Sequence, residues 1–244
     1  TASANNDAAV DLGVSNIRFK DLYLSGNASL GAISTPTSGT SNFIAGVNAG
    51  NSIIAGGNYN TVVGDEAGTA ITTGDNNVLV GYASGDAITT QSNITAVGNT
   101  ALTANTSGQR GTAVGSAALA GNTTGDYNTA VGFTALQANT TSSNNTAVGY
   151  DALSVTTGAN NTALGSSTGS TLTTGGQNVL LGQVADTTTA GATYATVIGY
   201  NVAGASGYTT LGKNAEDIRA AHGVATWATV SDERYKKDIV DSTA

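Results

Sequence analysis

Thr112-Ala113-Val114-Gly115, Thr129-Ala130-Val131-Gly132 and Thr146-Ala147-Val148-Gly149 are three copies of one tetrapeptide, set 17 residues apart. The pattern extends both ways. Tetrapeptides of the same kind end at Gly64, Gly81, Gly98, Gly115, Gly132, Gly149, Gly165, Gly182, Gly199 and Gly212, with spacings of 17 five times, then 16, 17, 17 and 13. A fixed period of this kind marks a chain built from stacked supersecondary units. Helical solenoid repeats run above about 30 residues and lack this glycine and threonine content. A unit of 17 residues cannot bury a core alone, whereas stacked copies can. The period therefore predicts an all-β, repetitive β-solenoid or β-roll over residues 43–212.

Each unit reads in three parts. A short β-prone run such as Thr129-Ala130-Val131 alternates faces when extended. Its third position is always branched and apolar, as in Val97, Val114, Val131 and Val148, and its second is often alanine. The expectation is that the branched residues point inward in one column and the alanines face the other side. The glycine that follows suits a tight turn or a close backbone approach. A small residue and leucine come next (Ala101-Leu102, Ala118-Leu119, Ala135-Leu136, Ala152-Leu153), then a polar corner such as Thr123-Thr124-Gly125. One or two asparagines precede the next strand (Asn128, Asn144-Asn145, Asn160-Asn161, Asn178). Asparagine and glycine tolerate positive φ, so both serve at corners, and stacking predicts asparagine over asparagine.

Composition agrees. Only 10% of the 244 residues are charged and 5% aromatic, with 33 glycines and 1 proline. An ordinary domain has about 25% charged residues, and a disordered chain has more charge and proline than this one. Eight Lys and Arg and a net charge of −8 argue against nucleic acid, because phosphate contacts need clustered cations. No run of about 18 apolar residues exists, so no membrane insertion is expected. The chain has no cysteine, which removes disulfides and thiolate metal sites. It has no methionine, which reads as a piece of a longer product. A thin rod of small residues exposes strand edges and an apolar side face; cyclic association would cover them.

Outside the array, residues 1–33 form an N-terminal β segment containing Ile17-Arg18-Phe19-Lys20-Asp21-Leu22-Tyr23-Leu24. Residues 34–42, with Pro36, read as a linker. Residues 213–230 lose the period and hold the one histidine, His222, and the one tryptophan, Trp227. Residues 231–244 begin Ser231-Asp232-Glu233-Arg234-Tyr235-Lys236-Lys237-Asp238-Ile239. The repeat resembles those of trimeric autotransporter adhesin heads and, more closely, of phage tail fibres. The Arg18–Leu24 stretch is similar to a strand that precedes the shaft in phage fibre proteins. The Ser231–Ile239 stretch resembles the opening of the peptidase S74 intramolecular chaperone of phage tailspikes and fibres.

That resemblance implies a homotrimeric fibre in a virion, bound to other tail or baseplate proteins and attaching to a glycan or protein receptor on the host surface. It also implies self-cleavage between Ser231 and Asp232 by a Ser231–Lys236 dyad, in which a neutral lysine takes the serine proton. Only 13 residues (231 to 244) follow Ser231, far short of a chaperone domain. The dyad is therefore expected to be inactive on this chain and to act only in a longer precursor. The alternative reading is a bacterial trimeric surface adhesin or extracellular filament subunit at the cell surface.

No cofactor, metal or enzyme activity is expected otherwise. A lone histidine without cysteine makes a poor zinc site. Asp65, Glu66, Asp75, Asp86, Asp126 and Asp151, the candidates for a glycosidase pair, occupy inequivalent repeat positions and read as surface charges. Tyr82, Phe133, Tyr150 and Tyr200 directly follow a repeat glycine and should line one edge of the stack. Two roles are open to them, stacking on sugar rings or packing against a neighbouring chain, and aromatic residues favour the second.

Overall fold

The fold is taken from a computed structural model of the chain, which describes residues 38–214, 216–223 and 228–229. Among the described residues every regular element is a strand. They are β1 (Phe43–Ala45), β2 (Thr61–Val63), β3 (Val78–Val80), β4 (Thr95–Val97), β5 (Thr112–Val114), β6 (Thr129–Val131), β7 (Thr146–Val148), β8 (Thr162–Leu164) and β9 (Val179–Leu181). There follow β10 (Asp186–Thr187), β11 (Thr196–Tyr200), β12 (Ala203–Gly204), β13 (Tyr208–Lys213), β14 (Glu216–Ala221) and β15 (Ala228–Thr229). Strands β1 to β9, β11 and β13 stack in sequence order as one parallel sheet, each repeat lying directly over the one before. Thr112 pairs with Thr129, Ala113 with Ala130 and Val114 with Val131, and this register holds along the stack. Residues 43–213 form a parallel β-solenoid of about ten turns whose rungs are the repeats of about 17 residues.

The column of branched residues forms as expected, but on the opposite face. Ala96, Ala113, Ala130 and Ala147 are completely buried, and the Thr and Val on either side of each are partly exposed. Val97, Val114, Val131 and Val148, expected inside, face outward. The reason is the volume already occupied from across the rung: Leu102, Leu119, Leu136 and Leu153 fill the interior opposite those alanines, fully buried. Rungs with a larger inner strand residue show the converse. Opposite Val62 and Leu79 stand Gly68 and Gly85, and a Cβ on either glycine would come within 2.8 Å of a Leu79 methyl.

A second exchange runs through the same interior. Gly68, Gly85 and Gly169 are each followed three residues later by Ile71, Ile88 or Leu172, whereas Leu102, Leu119 and Leu136 are followed by Asn105, Asn122 and Asn139. A Cβ on Gly85 would lie 2.7 Å from Ile88 Cδ1. One large apolar side chain therefore fits across these two positions, supplied by one or the other. Leu136 accepts φ +53° to enter the core, a left-handed backbone that costs a non-glycine residue about 1 kcal/mol or more.

The glycine ending each strand permits the stacking. Gly64 has φ +129°, and a Cβ there would lie 2.6 Å from the carbonyl oxygen of Gly81 on the next rung. The paired asparagines divide the work at the following corner. Asn144 takes φ +62° at the turn, and Asn145 is buried behind it. Asn145 Oδ1 accepts from the Asn161 N–H at 2.9 Å, and its Nδ2 donates to the Gly158 carbonyl at 2.9 Å. Asn128, Asn161 and Asn178 repeat the motif, each accepting from the backbone N–H one rung on. Ile94 and Gly111 interrupt this ladder. On those rungs Asn105 and Asn122 donate instead to the Gly108 and Gly125 carbonyls, at 2.9 and 3.0 Å. The exchange keeps buried carbonyls paired, as they must be away from water.

The parallel stack ends at β13, which pairs antiparallel with β14, and β14 pairs antiparallel with β15. Asp217 and Arg219 on β14 lie beside Gly212 and Thr210 and form an ion pair of 2.8 Å. Charge there closes a column that is apolar in the rungs above, where Leu180 and Val197 are buried.

Candidate functional site

The outward face of the parallel sheet runs along the whole described stack from β1 to β13. Its two central columns are the first and third residues of β2 to β9 and β11, with their register partners Thr209 and Leu211 on β13. From β2 through β9, β11 and β13 they carry only Thr, Val, Leu and Ile, with no charged residue in twenty positions. Val78, Leu164, Val179 and Ile198 are exposed. Parallel in-register pairing makes each column a straight row repeating every ~4.8 Å.

Aromatic residues border this face. Tyr82, Phe133, Tyr150 and Tyr200 are each about half exposed along the edge that follows the repeat glycine. Only Phe133 and Tyr150 occupy successive rungs. Their rings stack with centroids 5.4 Å apart and planes 13° from parallel. Tyr82 and Tyr200 are separated from that pair by rungs bearing Asn99 and Ser116, or Ser166 and Gln183.

The opposite border was not singled out in the sequence. Tyr59, Arg110, Tyr127 and Tyr194 each sit two residues before a strand threonine, at φ between +54° and +58°. The Arg110 guanidinium lies 5.3 Å from the Tyr127 ring centroid and donates to the Tyr127 hydroxyl. A cation over an aromatic face is attracted by the ring quadrupole. The signal was present: these residues recur at one place in the 17-residue period, but asparagine fills that place often enough to hide the aromatic members.

Asp65 and Glu66 are exposed at the surface, whereas five other carboxylates serve the stack. Asp75 Oδ1 accepts from the Asn58 N–H at 2.7 Å and Asp126 Oδ1 from the Gln109 N–H at 2.8 Å, each across one rung. Asp86 accepts from Thr103 Oγ1 at 2.8 Å, and Asp151 from Thr134 Oγ1. Asp186, buried on β10, accepts from Ser170 Oγ, Thr171 N and Thr171 Oγ1. His222 stands after β14 with its N–H on the Gly207 carbonyl at 2.8 Å and Nε2 3.2 Å from Thr209 Oγ1. Among the described residues no three His, Cys, Asp or Glu gather to hold a metal, and no helix is long and apolar enough to cross a membrane. Ser231, Asp232, Lys236 and Trp227 lie outside the described residues, as do residues 1–33.

No family model, curated protein or solved structure matches this chain.

Proposed function

We propose that this chain is the shaft segment of a homotrimeric fibre of the phage tail-fibre kind, which links a particle to a glycan or protein receptor on a host surface. The observation that carries the reading is the uninterrupted ladder from β1 to β13, in which most carboxylates and core asparagines bond from rung to rung. Such a rod holds two points apart and resists local opening, because each rung is supported by both neighbours. The Ser231–Ile239 motif adds the assembly step. Identical rungs let three chains pair one repeat out of step at little cost, so a C-terminal device that gathers them in register and is then cut away solves a real problem. Loss of that device leaves the fibre kinetically stable.

The test is expression of the gene extended beyond Ala244, followed by native and denaturing gels. Wild type is cut after Ser231 and trimeric, whereas Ser231→Ala and Lys236→Ala remain uncut and still trimeric. Normal processing of both variants, or a reading frame that stops at Ala244, refutes the assembly step. A secretion signal and membrane anchor in the gene moves the assignment to a bacterial surface adhesin.

A further inference from the structure

We infer that the outward Thr/Val face is the surface on which copies of this chain pack against one another, rungs level, while the aromatic columns border the contact. The argument starts from charge. The chain carries a net charge of −8, yet none of its shaft carboxylates enters the two central columns. Covering this face therefore desolvates methyl and hydroxyl groups and no ion. Isolated charges are the costly groups to bury, and interface cores are depleted of them.

Size agrees. Ten strands at ~4.8 Å spacing, four residues wide at ~3.3 Å each, make a strip of about 45 by 13 Å, or roughly 600 Å² of flat area before side-chain relief adds to it. A monomer's largest apolar patch is about 300–600 Å², and a stable interface takes about 800 Å² from each partner. The regularity selects the occupant. Straight rows repeating at the rung spacing match a surface with the same spacing and the same side chains, and a second copy of this chain presents both. The irregular border residues then act as keys. Arg110 on Tyr127 and the Phe133–Tyr150 stack mark particular rungs, so a slip of one repeat misplaces them although the central columns look alike.

The number of copies, three, rests on the fibre reading; the identity of the face does not. Val114→Lys/Val148→Lys places two cations on the face without touching the buried alanines, and Thr124→Lys places one on an exposed corner elsewhere. All are made from the gene extended beyond Ala244, as above; mass is read by sedimentation equilibrium and folding by circular dichroism. Wild type and Thr124→Lys should be trimers, and the double variant a monomer with an unchanged β spectrum. An associated double variant overturns the face and leaves the fibre reading intact. A folded wild-type monomer overturns both. A wild-type dimer that the two lysines dissociate supports the face and overturns the three-chain assembly. Should the double variant unfold, the natural absence of cysteine permits a second reading. Val131→Cys should be joined between chains by a short bismaleimide and Thr124→Cys should not; failure of the Val131→Cys link overturns the proposal.

Discussion

Exchange of a large side chain between two inner positions makes a quantitative prediction at rung six. Leu136 is fully buried and is followed by Asn139, whereas two rungs of the opposite kind hold Gly68 with Ile71 and Gly85 with Ile88. Leu136→Gly removes a whole core side chain, which costs about 2–5 kcal/mol including the cavity. It also releases the left-handed strain at φ +53°, worth about 1 kcal/mol, for a net loss of about 3 kcal/mol. Asn139→Ile forces a branched side chain against Leu136 at about 1–3 kcal/mol. It further removes the 3.0 Å bond from Asn139 Nδ2 to Asn122 Oδ1, while the Ser142 carbonyl keeps its 2.7 Å bond from Asn128. The two costs sum to about 5 kcal/mol if independent. The double variant rebuilds an arrangement like that of Gly169 and Leu172, whose rung also has an alanine, Ala163, on the inner side of its strand, and should lose only about 1.5 kcal/mol or less, as volume-conserving swaps do. Urea unfolding followed by circular dichroism measures all four corners of this cycle. An additive double variant, with coupling within about 0.5 kcal/mol of zero, would show that the two positions do not share one volume and would refute the packing argument.

Two further predictions test the stack. Gly132→Ala should be among the most destabilising single changes, beyond about 3 kcal/mol, because a Cβ at φ +138° runs into the Gly149 carbonyl on the next rung; chemical unfolding reads it, and a loss below about 1 kcal/mol contradicts the close approach. Asn145→Ala should cost about 2–4 kcal/mol, since it strips partners from the buried Asn161 N–H and Gly158 carbonyl together, and amide exchange at Asn161 should accelerate; unchanged protection there would remove the ladder from the stability account.

Much of this was legible in the residues. A period of 17 locates every rung, since a strand of three residues and its turns must recur at a fixed length for backbones to pair. Gly132 and its equivalents announce the close approach, because no other residue lacks the Cβ that would collide. Asn144-Asn145 declares a corner, although not that its first member makes the turn and its second the buried ladder.

The candidate site was only partly legible. Tyr82, Phe133, Tyr150 and Tyr200 fall on one edge as their common position after a glycine requires, but which of them touch depends on the rung intervals, and only Phe133 and Tyr150 are adjacent. The facing column of Tyr59, Arg110, Tyr127 and Tyr194 stayed hidden because its period is filled mostly by Asn and Gln.

The period, the all-β class and the places where the chain turns belong to the sequence alone, because they follow from spacing and from the backbone freedom of single residues. Which face of each strand is inside was decided by tertiary structure. Alternation in Thr129-Ala130-Val131 defines two faces without ranking them, and hydrophobicity by itself puts valine inside. Leu136, arriving from the far side of the same rung, takes the volume first and leaves room only for Ala130. Close packing sums over the whole rung, so the inward residue is settled by a side chain several positions away, and Val131 is left on the surface that we assign to a second copy of the chain.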